Sequence, residues 1–242
     1  MNIERHSPSS LNLFAASPAM YVLERVMGKR QPVGAPAHRG TAVEAGVTLG
    51  LMDPDKPVED CVKLAQTRFD TLMALSGDPR RDEYGKTIPA MVETALEELR
   101  PYGVPSRTQG FVEWRPEGVK LPIVGYFDFA WDEHGIIVDL KTTGALPSAI
   151  KTGHARQVAL YAESDNYDAR LTYVTPRKRA TYRLENIREH REALARIAAT
   201  VERFLSLSDD PAVLAGLVCP DLESFYWADP SARALAYQVW KI

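Results

Sequence analysis

The stretch "VGYFDFAWDEHGIIVDLKTT", residues 124–143, holds two aspartates and a lysine whose charges a β-hairpin does not need for its own stability. "DEHG" supplies a turn, because Gly135 accepts positive φ and Asp132 can bond its own backbone. With the hairpin centred on Glu133 and His134, Asp128 stands opposite Asp139. Like charges directly opposite one another destabilise a sheet, so the pairing makes sense chiefly with a cation between them. Hard ions such as Mg²⁺ or Mn²⁺ choose carboxylate oxygens and water and need few protein ligands. A period of two puts Asp139 and Lys141 on one face and Val138 and Leu140 on the other, so the lysine points at the same space as the ion. Carboxylates, a hard cation and a lysine suit hydrolysis of a phosphodiester, since the ion makes a bound water more acidic and offsets charge on the leaving oxygen. The lysine would steady the attacking water or the pentavalent phosphate. The competing reading of "DLK" alone is an exposed ion pair worth less than about 1 kcal/mol.

Strands near 121–131 and 136–142 must build that hairpin, with further strands near 109–115, 170–176 and 180–185. Between the third and fourth strands, "LPSAIKTGHARQVALYAES" reads as a helix from Ser148 to about Ser164, weakest at Gly153. Its Gln157 and Tyr161, four apart, share one stripe with His154 beside them, while Ala155, Val158, Ala159 and Ala162 cover the adjoining face. Upstream the chain is largely helical. Ser9 or Ser10 caps a helix through "LNLFAASPAMYVLERVM", which Pro18 kinks or breaks. After the loop "GKRQPVGAP", the segment "HRGTAVEAGVTLGL" carries Val43, Val47 and Leu51 on one helical face, with Glu44 inside the helix. Helices over 57–76 and 87–100 flank the polar turn "SGDPRRDEYGK". A long helix from Ile187 to Leu207 precedes a proline-bearing tail. Helices first, then a mixed sheet interrupted by a helix, indicate one α/β domain over residues 1–242. Within it lie a helical part (1–107), a sheet and helix that carry the chemistry (108–185), and a C-terminal helix and tail (186–242).

With 45% hydrophobic and 25% charged residues among 242, the chain can bury a real core. A net charge of -3 argues against a coat for nucleic acid by bulk charge alone, though a local basic groove can coexist with it, so any polyanion must be met locally. The start "MNIERHSPSS" is too polar for a secretory segment, and no apolar run approaches the ~20 residues of a membrane helix. A cytoplasmic protein with no membrane partner is therefore expected. Cys61 and Cys219 lie in no zinc spacing and read as two reduced thiols.

Glycine-led "GYFD", the hairpin to "VDLKTT" and "QVALY" on the following helix, in that order and at those gaps, resemble the RecB-type branch of the PD-(D/E)xK nuclease superfamily. "RGTAVE" resembles that branch's first motif and "SPSSLNLFAASPAMYVLERV" its opening helix, so the resemblance runs from residue 9 to about residue 175. It implies an α/β, restriction-endonuclease-like core: a central mixed β-sheet flanked by helices, with an N-terminal helical elaboration. It makes Asp128 and Asp139 ligands of Mg²⁺ or Mn²⁺, with the Leu140 carbonyl a third oxygen, and Lys141 the catalytic lysine. Gln157 and Tyr161 match a glutamine and tyrosine that position DNA or the lysine; a Tyr161 that packs at the core boundary is the alternative.

Two positions depart from the pattern. Many members have histidine four residues after the motif glycine, where this chain has Glu44 after Gly40. Lambda-type exonucleases of the same superfamily use an acidic residue there, so Glu44 is expected to bind the cation. Relatives with an iron–sulfur cluster carry Cys-Pro in the opening helix and three cysteines near the C-terminus. Here Ser17-Pro18 and the single Cys219 stand in those places, and no iron–sulfur cluster is expected.

Arg177, Lys178 and Arg179, in "TPRKRATYR", are candidate phosphate contacts of salt-dependent strength, and Arg39 and Arg156 are two more; a solvated turn explains the run of three equally well. "FYW", residues 225–227, either stacks on bases or fills a core edge. The expected activity is a metal-dependent DNA exonuclease acting on linear duplex or single-stranded ends, in recombination or end processing. Its size suggests a phage or mobile-element context beside a single-strand annealing protein. A structure-specific, CRISPR-adaptation-like end trimmer is the second enzyme reading. A catalytically silent DNA-binding subunit is the third, against which the intact Asp128, Asp139 and Lys141 weigh.

Overall fold

A computed structural model describes residues 3–162 and 167–242. Its strands are β1 (Arg107–Trp114), β2 (Ile123–Trp131), β3 (Ile136–Thr142), β4 (Asp168–Val174) and β5 (Arg179–Arg183), joined in one sheet in the order β1-β2-β3-β4-β5. Its helices are α1 (Pro8–Ala16), α2 (Pro18–Tyr21), α3 (Ala35–Met52), α4 (Val58–Met73), α5 (Arg81–Gly85), α6 (Ile88–Leu99), α7 (Thr152–Tyr161), α8 (Ile187–Leu205), α9 (Pro211–Gly216) and α10 (Pro230–Trp240). No helix among the described residues is long and apolar enough to cross a membrane.

The hairpin has the expected register. β2 and β3 are antiparallel, with Phe129 opposite Val138, Ala130 opposite Ile137 and Trp131 opposite Ile136. Gly135 adopts a φ of 60 in the turn. β3 and β4 are parallel, and α7 provides the crossover such a pair requires; β5 returns antiparallel to β4. The sheet is therefore mixed and carries helices, as the family resemblance implies.

The chain divides into two compact units, one of Pro32–Phe111 and Tyr126–Ile187, the other of Met1–Gln31, Val112–Gly125 and Arg188–Ile242. In the first, the apolar faces of α3, α4 and α6 meet Phe129, Trp131, Val138, Leu140 and Val174 of the sheet in one core. α3 and α4 approach closely at Gly46, where a Cβ would lie 2.6 Å from the Cys61 carbonyl oxygen. The N-terminus of α3 has no cap from its own Gly34. Instead Asp78 Oδ2 accepts the Ala35 N–H at 2.8 Å, and Arg80 holds that carboxylate at 2.9 Å. The Arg80 hydrogen bond, then the backbone donors, keep Asp78 well below the usual carboxylate range.

The second unit gathers Ala19, Met20, Leu23, Trp227, Ala232 and Ala236 into its own core. Glu202 of α8 accepts the N–H groups of Lys120 and Leu121 at 2.9 and 2.8 Å and lies 3.4 Å from His6. Of the "FYW" triplet, Trp227 fills this core and Phe225 is exposed.

Several element boundaries differ from the sequence expectation. α1 starts at Pro8 because Ser7 is the cap: the Ser7 hydroxyl accepts the Ser10 N–H and the Ser10 hydroxyl accepts the Ser7 N–H. This is a reciprocal capping box followed by proline. The break at Pro18 is as expected, and a π-helical turn, Val22–Val26, continues α2. The polar turn contains the short helix α5, and the tail forms α9 and α10. α7 begins at Thr152 rather than Ser148, since the Tyr182 hydroxyl donates to the Pro147 carbonyl and holds the preceding residues as a loop. The expected end near Ser164 lies outside the described residues.

Candidate active site

Ladder pairing of β2 with β3 ends at Phe129 and Val138, and Asp128 is the next residue along β2. Its Oδ2 accepts the Leu140 backbone N–H at 2.7 Å. Asp139 on β3 is 1% exposed, and its Oδ2 lies 2.6 Å from Lys141 Nζ. Apart from that ion pair, no hydrogen-bond donor among the described residues reaches this oxygen. Val138 and Leu140 enter the core with α3, α4 and α6, so the strand alternates as its sequence predicts.

Glu44 on α3 reaches the same place. The Gln109 side-chain amide donates both to Glu44 Oε1 and, at 3.3 Å, to Asp128 Oδ1. Gln109 sits inside β1 with a φ of 50, a left-handed conformation uncommon for a residue with a Cβ. Beside it, Gly110 packs so closely on the Phe127 ring that a Cβ would fall 1.9 Å from a ring carbon. Sequence reasoning missed Gln109. The readable signal was its neighbour, since a glycine inside a strand marks a bulge or a close approach.

α7 closes the other side. The Gln157 amide donates to the Tyr161 hydroxyl at 2.8 Å and, at the outer limit of 3.5 Å, to Asp139 Oδ1. Tyr161 is 1% exposed and meets Phe127 edge-on at 6.4 Å, so it both fills the core and orients Gln157. Tyr173, the register partner of Lys141 on β4, was also missed. Its hydroxyl accepts the Lys151 N–H at 3.3 Å and lies 2.8 Å from His154 Nδ1, tying the start of α7 to the sheet.

Three carboxylates around one lysine set the electrostatics. Burial, then the charge of Asp139, push Glu44 up to about 7. Burial foremost, then Asp139 and Glu44, raise Asp128 well above its ordinary value. Burial acts to lower Lys141, but Asp139, Asp128 and Glu44 outweigh it and the net shift is upward. Burial, then Lys141, bring His154 down to about 4, so its imidazole is neutral at pH 7. Fully ionised, the three carboxylates would carry more negative charge than Lys141 balances; the raised values of Glu44 and Asp128 express that repulsion, and a bound cation would relieve it.

The donor set fits a hard divalent ion: carboxylate oxygens of Glu44, Asp128 and Asp139, one of them buried with the Lys141 ion pair as its contact, beside the Leu140 backbone. As the side chains stand, no three acidic, histidine or cysteine groups among the described residues converge on one point. The Lys141 ammonium and the Gln109 amide lie against the carboxylates instead.

The other candidate DNA contacts are placed unequally. The Thr175 hydroxyl accepts the N–H groups of Arg177 and Lys178 at 3.2 and 2.8 Å, and both side chains are exposed. Arg156 is half-buried beside Gln157. Arg179 already faces Glu97 and Glu98. Arg39 is buried, its guanidinium 4.7 Å from the Tyr84 ring centroid, and so is not presented to a phosphate.

The family model described as "PD-(D/E)XK nuclease superfamily" matches residues 5–216. No curated protein matches. A solved structure described as "Crystal structure of SSO0001" matches at 17% identity with a TM-score of 0.38, over 76% of this chain and 96% of that chain.

Proposed function

The chain belongs to the PD-(D/E)XK nuclease superfamily, and on that premise we propose that it is a metal-dependent DNA exonuclease of the RecB-type branch, working in recombination or end processing. The superfamily's nucleases act on nucleic acid and generally use divalent metal ions. The observation that carries the reading is the meeting of Glu44, Asp128, Asp139, Lys141 and Gln157 at the open end of the β2–β3 hairpin, with motif residues in the order the branch requires.

Glu44, Asp128, Asp139 and the Leu140 carbonyl would hold Mg²⁺ or Mn²⁺. When bound, such an ion supplies positive charge at the scissile phosphate and a more acidic water. Asp128 is aimed by the Leu140 N–H, and Asp139 by the Gln157 amide. Lys141, kept protonated by its carboxylate neighbours, offers Nζ to a phosphate oxygen or to the attacking water, where developing negative charge strengthens the contact. Gln109 must release Glu44 and Asp128 for both to face an ion. Arg177, Lys178 and Arg156 would take flanking phosphates, each adding to the salt dependence of binding.

The test is digestion of end-labelled linear duplex, single-stranded and covalently closed circular DNA in Mg²⁺, Mn²⁺ or EDTA, with Asp139→Ala as control. Metal-dependent loss of linear DNA with circles spared supports an exonuclease. Nicking of circles would overturn the exonuclease reading, and binding without cleavage would favour a silent DNA-binding subunit.

A further inference from the structure

Two aromatic side chains, each two residues along its strand from Gln109 or Asp128, lie half outside any core. Phe111 on β1 and Tyr126 on β2 are 50% and 51% exposed, and their ring centroids are 5.4 Å apart at an interplanar angle of 56°. The cause is local. Gly110 faces the buried Phe127 ring, and strand neighbours point to opposite sides, so Phe111 and Tyr126 meet on the side away from Phe127. Solvent covers what a core would otherwise cover. Such a pair of rings offers a flat apolar surface on which a planar partner can stack.

Position identifies the occupant. Phe111 stands two residues from Gln109 and Tyr126 two residues from Asp128, so each lies within roughly 7 Å of backbone from a side chain of the site. A nucleic acid whose phosphate reaches the carboxylates carries its adjoining base within reach of these rings. Aromatic side chains bind bases by stacking with little regard to sequence. Inside a duplex both faces of a base are covered by its neighbours, so only an unpaired nucleotide has a face to offer. We propose that Phe111 and Tyr126 form a stacking platform for one unpaired base next to the scissile phosphate, so that the strand to be cut is held single-stranded at the site. This rests on the nuclease reading above and adds the form of the substrate. It requires a duplex end to fray before it is cut.

The test measures binding apart from cleavage. The full chain in EDTA is titrated into labelled single-stranded oligonucleotides, one intact and a series with a single abasic site moved along the strand, and into the matching duplex. Phe111→Ala and Tyr126→Ala should each weaken binding of the intact strand by about 5- to 100-fold, with Tyr126→Phe close to wild type. One abasic position should weaken the wild type and leave the alanine variants no weaker than they already are. Unchanged affinity in both alanine variants, or equal loss on duplex and single strand, would overturn the platform. So would a change in oligomeric state with unchanged DNA affinity, which would make the pair a contact between copies of the chain. Should an alanine variant fail to fold, the abasic series with wild type decides alone, and indifference to abasic position overturns the proposal. A wild type that binds and cleaves DNA while ignoring the rings removes only the platform; one that neither binds nor cleaves removes the nuclease reading.

Discussion

The Asp128 carboxylate accepts the Leu140 backbone N–H at 2.7 Å, just past the last ladder pair of the β2–β3 hairpin. A side chain thus takes a donor that a strand carbonyl would otherwise use. The same residue serves both the fold and the candidate ion site, and the two roles can be separated.

Asp128→Asn keeps an oxygen for the Leu140 N–H and removes a buried charge, so melting in EDTA should be as high as wild type or higher. Its Mg²⁺ affinity, by titration calorimetry, should fall at least about tenfold. Asp128→Ala leaves the N–H unpaired and should cost about 1–3 kcal/mol of stability. Wild-type Mg²⁺ affinity in the asparagine variant would undo the assignment of Asp128 as a ligand.

Lys141→Ala should lower turnover by roughly 10²–10³-fold with little change in DNA affinity, because its proposed contact strengthens as charge develops. Single-turnover rates and anisotropy titrations separate the two quantities. A rate equal to wild type would remove Lys141 from the mechanism.

Glu44 gives a pH signature. Its value in the fold, about 7, lies above the ordinary 4.5. The fold therefore binds this proton more tightly than the unfolded chain, and the associated stability is complete below about 4.5 and lost as pH rises through about 7. In EDTA, Glu44→Gln should match wild type near pH 5 and exceed it at pH 8 by roughly 1–2 kcal/mol, a figure discounted for partial exposure. Denaturant melts at the two pH values check this; a constant difference would contradict it. Glu44→His should retain activity with a shifted preference for Mn²⁺.

Gln109 should reveal backbone strain. Gln109→Ala and Gln109→Gly both remove the amide that bridges Glu44 and Asp128, but only glycine relieves the left-handed conformation. The glycine variant should be the more stable by about 1 kcal/mol. An alanine variant of equal stability would show that the strand relaxes without cost.

Asp78→Ala removes the remote cap of α3, the helix that carries Glu44. Stability should fall by about 1–2 kcal/mol. Loss of Mg²⁺ affinity in parallel would mean that the cap also fixes the position of Glu44. Stability equal to wild type would show that α3 is held by packing alone.

What the sequence determined by itself was local or periodic. The "DEHG" turn sets the hairpin register, and a period of two separates Asp139 and Lys141 from Val138 and Leu140, so the chemistry of the hairpin is legible in the order of its residues. The spacing of four between Gln157 and Tyr161 likewise fixed their common stripe, and the fold joins them directly. Tertiary structure decided the rest. Gln109 becomes a site residue because Gly110 packs on Phe127 of another strand, and Tyr173 because a parallel crossover sets it beside Lys141. Arg39 and Arg179 looked available for phosphates, yet Tyr84, Glu97 and Glu98, on helices distant in the chain, already face them. Local sequence fixes which side chains share a face, because backbone geometry repeats every few residues. Which groups are neutralised or left open depends on partners distant in the chain, and those are chosen only when the helices pack.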